Sequence, residues 1–134
     1  MFELHPSLKQ KIYVGELDLC TVLMEDCTDF VWLFLVPKKE SVRNMLALTH
    51  DERIKLMDEI ERAETALNTL FHPDQTNVAM IGNLTPQLHV HVMCRYKTDP
   101  FWPNTVWGQK FTPYSNDEKE RILSLLKKEL ICQK

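Results

Sequence analysis

Glycine is scarce in this sequence of 134 residues, which contains only Gly15, Gly82 and Gly108. None of the three belongs to a glycine-rich loop of the kind that wraps a phosphate chain in backbone amides. The commonest sequence signature of nucleotide binding is therefore missing. If a nucleotide binds, other groups must hold it.

Membrane-spanning, secretory and nucleic-acid-binding signatures are also missing. No apolar run approaches the ~20 residues that span a bilayer, and residues 1–6 lack the charged-then-apolar layout of a secretory signal. The four cysteines form no CxxC pair, so we expect free thiols and a cytoplasmic location. The net charge of −3, with no basic cluster longer than a triplet, argues against nucleic-acid and membrane partners.

Two capping boxes predict two helices. Thr49 and Glu52 open the first, expected over residues 50–71, where an apolar residue recurs every three or four positions. Ser115 and Glu118 open a C-terminal helix with the same kind of apolar stripe.

Apolar and β-branched segments predict the remaining elements. We expect strands over residues 11–16, 20–25, 31–36, 76–81 and 88–96, and a short helical turn around 40–46. A chain of this length fits one domain. We therefore predict a single α+β domain over residues 1–134, with a mostly antiparallel sheet of about five strands, one long helix and a C-terminal helix.

The last predicted strand carries the side chains that suggest chemistry. Because side chains alternate along a strand, Leu88, Val90 and Val92 should face the core. On the opposite face we expect Gln87, His89, His91 and Met93, with same-face neighbours ~6.5 to 7 Å apart. An apolar core does not need two histidines on one face, since burying imidazole costs free energy unless both nitrogens find partners.

Three interpretations of the pair His89 and His91 stay open on the residues alone. They could be satisfied histidines on a sheet surface. They could bind zinc, which needs further ligands, but none of the other histidines has partner spacing, so we predict no metal site. They could perform nucleophilic catalysis, in which an imidazole nitrogen attacks phosphorus and forms a covalent intermediate.

The segment Gln87–Met93 resembles the signature of the histidine-triad (HIT) family, His-φ-His-φ-His-φ-φ with φ apolar, and Gln87 stands where the first histidine usually does. Residues 34–39, Gly82-Asn83 and the stretch 99–103 are also similar to the family pattern. The resemblance is strongest to a bacterial branch that carries Gly-Asn-x-x-Pro-Gln-Leu-His-Val-His-Val.

This resemblance implies hydrolysis or transfer of nucleoside monophosphate groups from phosphoramidates or dinucleoside polyphosphates. It makes His89 the nucleophile, His91 a contact to phosphate and leaving group, and Gln87 a third member of the catalytic set. Asn83 would lie near the phosphate, and Asp26 or Glu25 near the ribose.

The resemblance also carries expectations about ligands and assembly. It implies a purine nucleotide substrate, adenine-containing by preference, and a two-fold homodimer. No cofactor is required, although magnesium could accompany a polyphosphate substrate. The alternative function is a nucleotide-binding or sensing module with little turnover, which the glutamine at position 87 leaves open.

Three further side chains carry separate expectations. Trp32 should belong to the core. Trp107 should pack on the sheet or at a dimer contact, or line the site and bind substrate. Arg95 should form an ion pair at the surface or at an interface.

Overall fold

A five-stranded antiparallel sheet forms the centre of the molecule in the computed structural model, which describes residues 1–132. The strands lie in the order β1-β2-β3-β5-β4, and every neighbouring pair is antiparallel. Their bounds are Ile12–Glu16 (β1), Cys20–Met24 (β2), Trp32–Pro37 (β3), Gln75–Ala79 (β4) and Val90–Arg95 (β5). The predicted α+β class and its antiparallel sheet are confirmed.

Both predicted helices begin at their predicted N-caps, but only the first has a complete capping box. Helix α2, His50–Phe71, has the reciprocal Thr49–Glu52 bonds, and α3, Asn116–Leu126, begins where the Ser115 side chain accepts from the amide of Glu118. A π-helical turn, Lys127–Ile131, continues α3. The helical turn expected around 40–46 is a 3-10 turn at Met45–Ala47.

One short helix was not predicted. Helix α1, Pro6–Lys9, begins at a proline, and the ring of His5 accepts the amide of Ser7 as its cap. Proline favours the first helical position because its missing N–H needs no partner there. A histidine cap is uncommon, and no Ser, Thr, Asp or Asn stands at the position that would have indicated the start of this helix.

Helix α2 covers one face of the sheet. It contacts β5 and β3, and its buried Glu59 accepts hydrogen bonds from the amides of Leu19 and Cys20 at 2.8 and 2.9 Å. These bonds satisfy a carboxylate that would otherwise be costly to bury. The opposite face, on which His91 lies beside Phe34 of β3, is left for the aromatic segment that follows β5.

Arg95 at the end of β5 is buried rather than on the surface, so the expectation of a surface pair is wrong. It is only 2% exposed and donates to both carboxylate oxygens of Asp99, at 2.8 and 3.1 Å, and to Asn77 at 3.0 Å. Burial alone would raise the pKa of Asp99, but Arg95 and the amides of Tyr96 and Phe101 lower it to about 2. The pair fixes the turn that carries the following segment back over the sheet.

Two properties of the described chain bear on the sequence expectations. Cys20, Cys27 and Cys94 are buried free thiols, and Cys132 is an exposed one. Within residues 1–132, no helix combines the length and the apolarity that crossing a bilayer requires.

Candidate active site

A cavity of about 510 Å³ opens on the sheet face that α2 does not cover. His89 and His91 lie on its floor, beside Trp32 and Phe34 of β3. Its walls come from α1 and the two residues after it, the residue after β2, the loop before β5 and the segment after β5. The wall residues are Ser7, Leu8, Gln10, Lys11, Glu25, Ile81, Asn83, Leu84, Thr85, Trp107 and Gly108.

His89 is held by the backbone two residues before it. Its Nδ1 lies 2.6 Å from the carbonyl oxygen of Gln87. Since a carbonyl only accepts, Nδ1 carries the proton and donates it, and in the neutral ring this leaves a lone pair on Nε2. His89 is 6% exposed, yet its Nε2 is not sealed and has no hydrogen-bond partner within residues 1–132. That nitrogen is therefore available to attack.

His91 is held in the opposite tautomer. The indole Nε1–H of Trp32 donates to its Nδ1 at 2.9 Å. Because tryptophan can only donate, Nδ1 of His91 must be the acceptor, and the proton of the neutral ring lies on Nε2. Burial, followed by the charges of His89 and Lys11, lowers the pKa of His91 to about 3. His91 is thus a neutral ring that presents an N–H donor at physiological pH.

Aromatic rings enclose the two imidazoles. The ring centroids of His89 and His91 are 4.9 Å apart, and His91 lies 4.9 Å from Phe34 and 4.8 Å from Trp107. Trp107 stands edge-on to His91 and is 36% exposed, so it forms a partly open wall. Exclusion of water by these rings strengthens hydrogen bonds and charge interactions inside the cavity.

An ion pair between Lys11 and Glu25 forms part of the cavity wall. Lys11 Nζ donates to both oxygens of Glu25, at 3.1 and 2.8 Å, and stands 5.4 Å from the centre of the Phe34 ring. Both side chains are half-buried. Lys11 was missed by the sequence analysis, because a lone lysine before a strand carries no pattern that separates it from a solvated one.

Gln87 does not share the histidine face as expected. Its Oε1 accepts from the amide of His5 at 2.8 Å and its Nε2 donates to the carbonyl of Glu3 at 2.8 Å. Alternation fails here because β5 begins only at Val90, and Gln87 belongs to the loop before it. Its contribution to His89 is the backbone carbonyl, and its side chain binds the N-terminal segment.

The other predicted residues divide between the cavity and its surroundings. Asn83 and Trp107 line the cavity. Asp26 does not; its Oδ1 accepts from the amide of Tyr114 at 2.8 Å, and the neighbouring Glu25 lines the cavity instead. Trp32 is buried, as expected of a core residue, but its indole N–H also takes part in the site.

A second cavity, of about 340 Å³, meets the first at Ile81 and His89. Its lining is mostly apolar, with Arg43 and Asn44 as its other polar side chains. Neither cavity is associated with a group of three or more metal-ligating side chains within the described residues 1–132.

Comparison with known proteins agrees with this geometry. The HIT domain family model matches residues 8–98. The chain belongs to the HIT family. This match spans all five strands, α2 and both histidines of the site.

Solved structures of HIT proteins superpose closely on this chain. A histidine triad protein from Bradyrhizobium japonicum is 34% identical with a TM-score of 0.93, covering 96% of this chain and 98% of its own. A histidine triad protein from Marinobacter aquaeolei is also 34% identical, with a TM-score of 0.93, and the match covers 98% of this chain and 97% of that one. A histidine triad protein from Sinorhizobium meliloti is 30% identical, with a TM-score of 0.93, and the match covers 97% of this chain and 98% of that one. No curated protein matches the chain significantly.

Proposed function

We propose that this chain is a nucleotide hydrolase that forms a covalent nucleotidyl intermediate on His89. HIT proteins are generally nucleotide-binding hydrolases or transferases. The observation that carries the proposal is the pair of opposite tautomers, a free lone pair on His89 Nε2 beside an N–H on His91 Nε2. A nucleophile next to a donor is what displacement at phosphorus requires.

In the first step, His89 Nε2 attacks the phosphorus of the nucleoside monophosphate group. A P–N bond forms, the bond to the leaving group breaks, and the leaving group keeps the bonding electrons. The ring of His89 becomes cationic, and its Nδ1–H strengthens its bond to the Gln87 carbonyl, since charge-assisted hydrogen bonds are stronger. The N–H of His91 stabilises the charge that builds on the departing group or on a phosphate oxygen.

In the second step, water attacks the same phosphorus. The P–N bond breaks, His89 returns to its neutral form with the proton still on Nδ1, and the water releases one proton as the nucleoside monophosphate forms. The Gln87 carbonyl holds one tautomer throughout, so Nε2 is ready for the next cycle.

The cavity suits a nucleoside monophosphate in size and lining. Its volume of about 510 Å³ falls within the usual range for small-molecule sites. The aromatic wall of Trp107 would contact a purine, adenine by preference, and the Glu25 carboxylate would accept from ribose hydroxyls. Asn83 would donate to the phosphate, and magnesium would enter only with a polyphosphate substrate.

Gln87 occupies the place of the family's first histidine in this proposal, as in the bacterial branch that the motif resembles. Its backbone would orient the nucleophile, and its side chain would hold the N-terminal wall of the cavity. The chemistry therefore needs no ionisable group at this position.

We also propose a homodimer through β4 and α2. Strand β4 is an edge of the sheet, and Val78 and the following Met80 are exposed there. Ile54 and Met57 are exposed on α2, on the same face of the helix as Glu64. The carboxylate of Glu64 accepts a hydrogen bond from Thr76 of β4, so this face of α2 adjoins the strand edge. Exposed apolar groups on an unpaired strand edge are typical of an association surface.

Turnover of adenosine phosphoramidate and diadenosine polyphosphates by purified variants tests the function. We expect His89→Ala to lose at least about a thousandfold in kcat with its circular dichroism unchanged, because no other group supplies the nucleophile. The control is His50→Ala, which changes an exposed histidine at the start of α2 and should keep full activity. Near-normal turnover by His89→Ala would refute the proposal, and nucleotide binding without turnover by the wild type would favour a sensing module.

A further inference from the structure

The hydrogen bond between Trp32 and His91 limits what His91 can do. A charged His91 would carry a second N–H on Nδ1, which would point at the indole N–H across 2.9 Å. Tryptophan has no lone pair to accept that proton, so the charged ring would lose the hydrogen bond and gain a repulsive contact. Trp32 is itself held by the core and packs against Phe34 at 5.9 Å.

The surroundings of His91 also disfavour its charged form. The titratable and charged groups that face it are His89 on its own strand, Lys11 after α1, and Glu25 after β2. The carboxylate of Glu25 is engaged by Lys11 through both oxygens. The remaining neighbours, Phe34 and Trp107, are uncharged rings. His91 can thus donate a hydrogen bond through Nε2 but cannot readily hold a spare proton to transfer.

Other proton sources on the cavity wall are engaged as well. The hydroxyls of Ser7 and Thr85 bond to each other at 2.7 Å, and Ser7 also contacts Nδ1 of His5 at 2.8 Å. Lys11 is bound to Glu25. Among the described lining residues, the one other proton donor that faces His91 is thus Lys11, which Glu25 holds through both carboxylate oxygens.

Leaving groups differ in whether they need that proton. When a phosphate, a nucleotide or a carboxylate departs from phosphorus, its oxygen takes the P–O electrons as a stable anion, and a hydrogen bond from a neutral N–H suffices. When an alkylamine departs, its nitrogen must gain a proton as the P–N bond breaks, because an alkylamide anion is too basic to leave. General-acid catalysis is therefore important only for the second class.

We propose that Trp32 sets the leaving-group specificity of this site, restricting efficient turnover to nucleotide anhydrides whose leaving group departs as a stable anion. This inference rests on the proposed function and narrows it, because alkylamine phosphoramidates become poor substrates. Trp32 is a positioning residue that acts through the tautomer and charge of His91.

The first test measures His91 directly in the wild-type protein. Two-dimensional ¹⁵N–¹H NMR of histidine-labelled protein distinguishes the Nδ1–H, Nε2–H and charged forms. We expect His91 to stay neutral with its proton on Nε2 down to about pH 5, well below the ordinary histidine pKa of about 6.5. A charged His91 at that pH, or a proton on Nδ1, would overturn the inference. A purely structural role for Trp32 would not fix the tautomer.

The second test compares diadenosine triphosphate with the propylamine phosphoramidate of adenosine monophosphate. In Trp32→His, the new imidazole can accept a hydrogen bond from charged His91. We therefore expect the ratio of kcat/KM for the anhydride to kcat/KM for the amidate to fall about tenfold or more. Amidate turnover should also gain a dependence on pH in the acidic range, as His91 becomes able to donate a proton. Trp32→Phe removes the repulsive donor without adding an acceptor, so it should show a smaller gain in amidate turnover than Trp32→His. Thermal melts identify any variant that fails to fold.

The outcomes separate the two proposals. If the wild type cleaves neither substrate through His89, the proposed function fails and this inference fails with it. If it cleaves both equally well through His89, only the inference fails. A further test needs only the wild-type protein and a series of aryl esters of adenosine monophosphate whose leaving groups differ in acidity. We expect kcat to fall steeply as the leaving group becomes more basic. A kcat that does not depend on leaving-group basicity would contradict the inference.

Discussion

The side-chain oxygen of Gln87 lies 2.8 Å from the backbone nitrogen of His5, which is 82 positions away in the chain. This bond and the one from Gln87 to Glu3 tie the N-terminal segment to the loop that carries the nucleophile. Helix α1 follows directly, and its Ser7 and Leu8 form one wall of the cavity. The side chain of Gln87 thus shapes the cavity, while its backbone orients His89.

Replacing Gln87 should therefore affect binding more than chemistry. We expect Gln87→Ala to raise KM several-fold, because each lost hydrogen bond costs about 1 kcal/mol and loosens α1. Its kcat should stay within about twofold, because the carbonyl that holds His89 is unchanged. Steady-state kinetics on one substrate give both values. A large fall in kcat with KM unchanged would show that the carboxamide acts in the chemical step.

Acid should destabilise the protein partly through His91. Its folded pKa of about 3 lies below the unfolded value of 6.5, so between these pH values the unfolded state binds more protons. The stability that depends on neutral His91 is complete above about pH 6.5 and is lost as the pH falls towards 3, at up to about 1.4 kcal/mol per pH unit.

Urea unfolding at several pH values measures this loss. The matched control is His91→Gln, which can still accept from Trp32 but does not titrate. We expect the wild type to lose more unfolding free energy than the variant between about pH 6.5 and 4. The lowered pKa of Asp99 contributes equally to both proteins and cancels. Parallel curves would mean that His91 titrates normally in the folded state.

Adjacent carboxylates at the end of β2 should differ in their effect on substrate binding. Glu25 lines the cavity, whereas Asp26 binds the amide of Tyr114 outside it. We expect Glu25→Gln to raise KM for an adenosine substrate by about tenfold, since hydrogen bonds to a charged acceptor contribute about 1.5 to 3 kcal/mol. Asp26→Asn keeps an acceptor for Tyr114 and should leave KM nearly unchanged. A larger rise in KM for Asp26→Asn than for Glu25→Gln would instead assign the ribose contact to Asp26.

The proposed dimer should depend on the apolar patch of α2 and β4. We expect light scattering to give the mass of two subunits for the wild type and of one subunit for Met57→Glu, because a buried, unpaired carboxylate is costly. Ser124→Glu adds the same charge to an exposed position on α3 and should remain a dimer. A wild-type mass of one subunit at micromolar concentration would contradict the proposal.

The regular elements were predictable because local physics determines them. Thr49 and Glu52 form their capping box within four residues, and the short apolar run that contains Trp32 and Phe34, stopped by Pro37, predicted a covered strand. His89 and His91 could be placed on one face because side chains alternate along β5, and His89 directly precedes its first residue.

The contacts that complete the site were not predictable, because they depend on how distant segments meet. Trp32 and His91 are separated by 59 positions, and nothing in the sequence shows that the indole N–H reaches the imidazole. Glu25 and Asp26 are chemically alike, and the turn after β2 decides which one faces the cavity. Arg95 was expected at the surface because the sequence does not reveal that Asp99 folds back onto it.

The central claim is that the intermediate is covalent and lies on His89. Wild-type protein mixed with an adenosine substrate, quenched in alkali within the first turnover and digested, should yield one peptide that carries an adenylyl group at His89. Phosphoramidate-linked histidine survives alkali and is lost in acid, so the modification should disappear when the same peptide is acidified. An unmodified His89 peptide during rapid turnover, or an adenylyl group on His91 instead, would contradict the account.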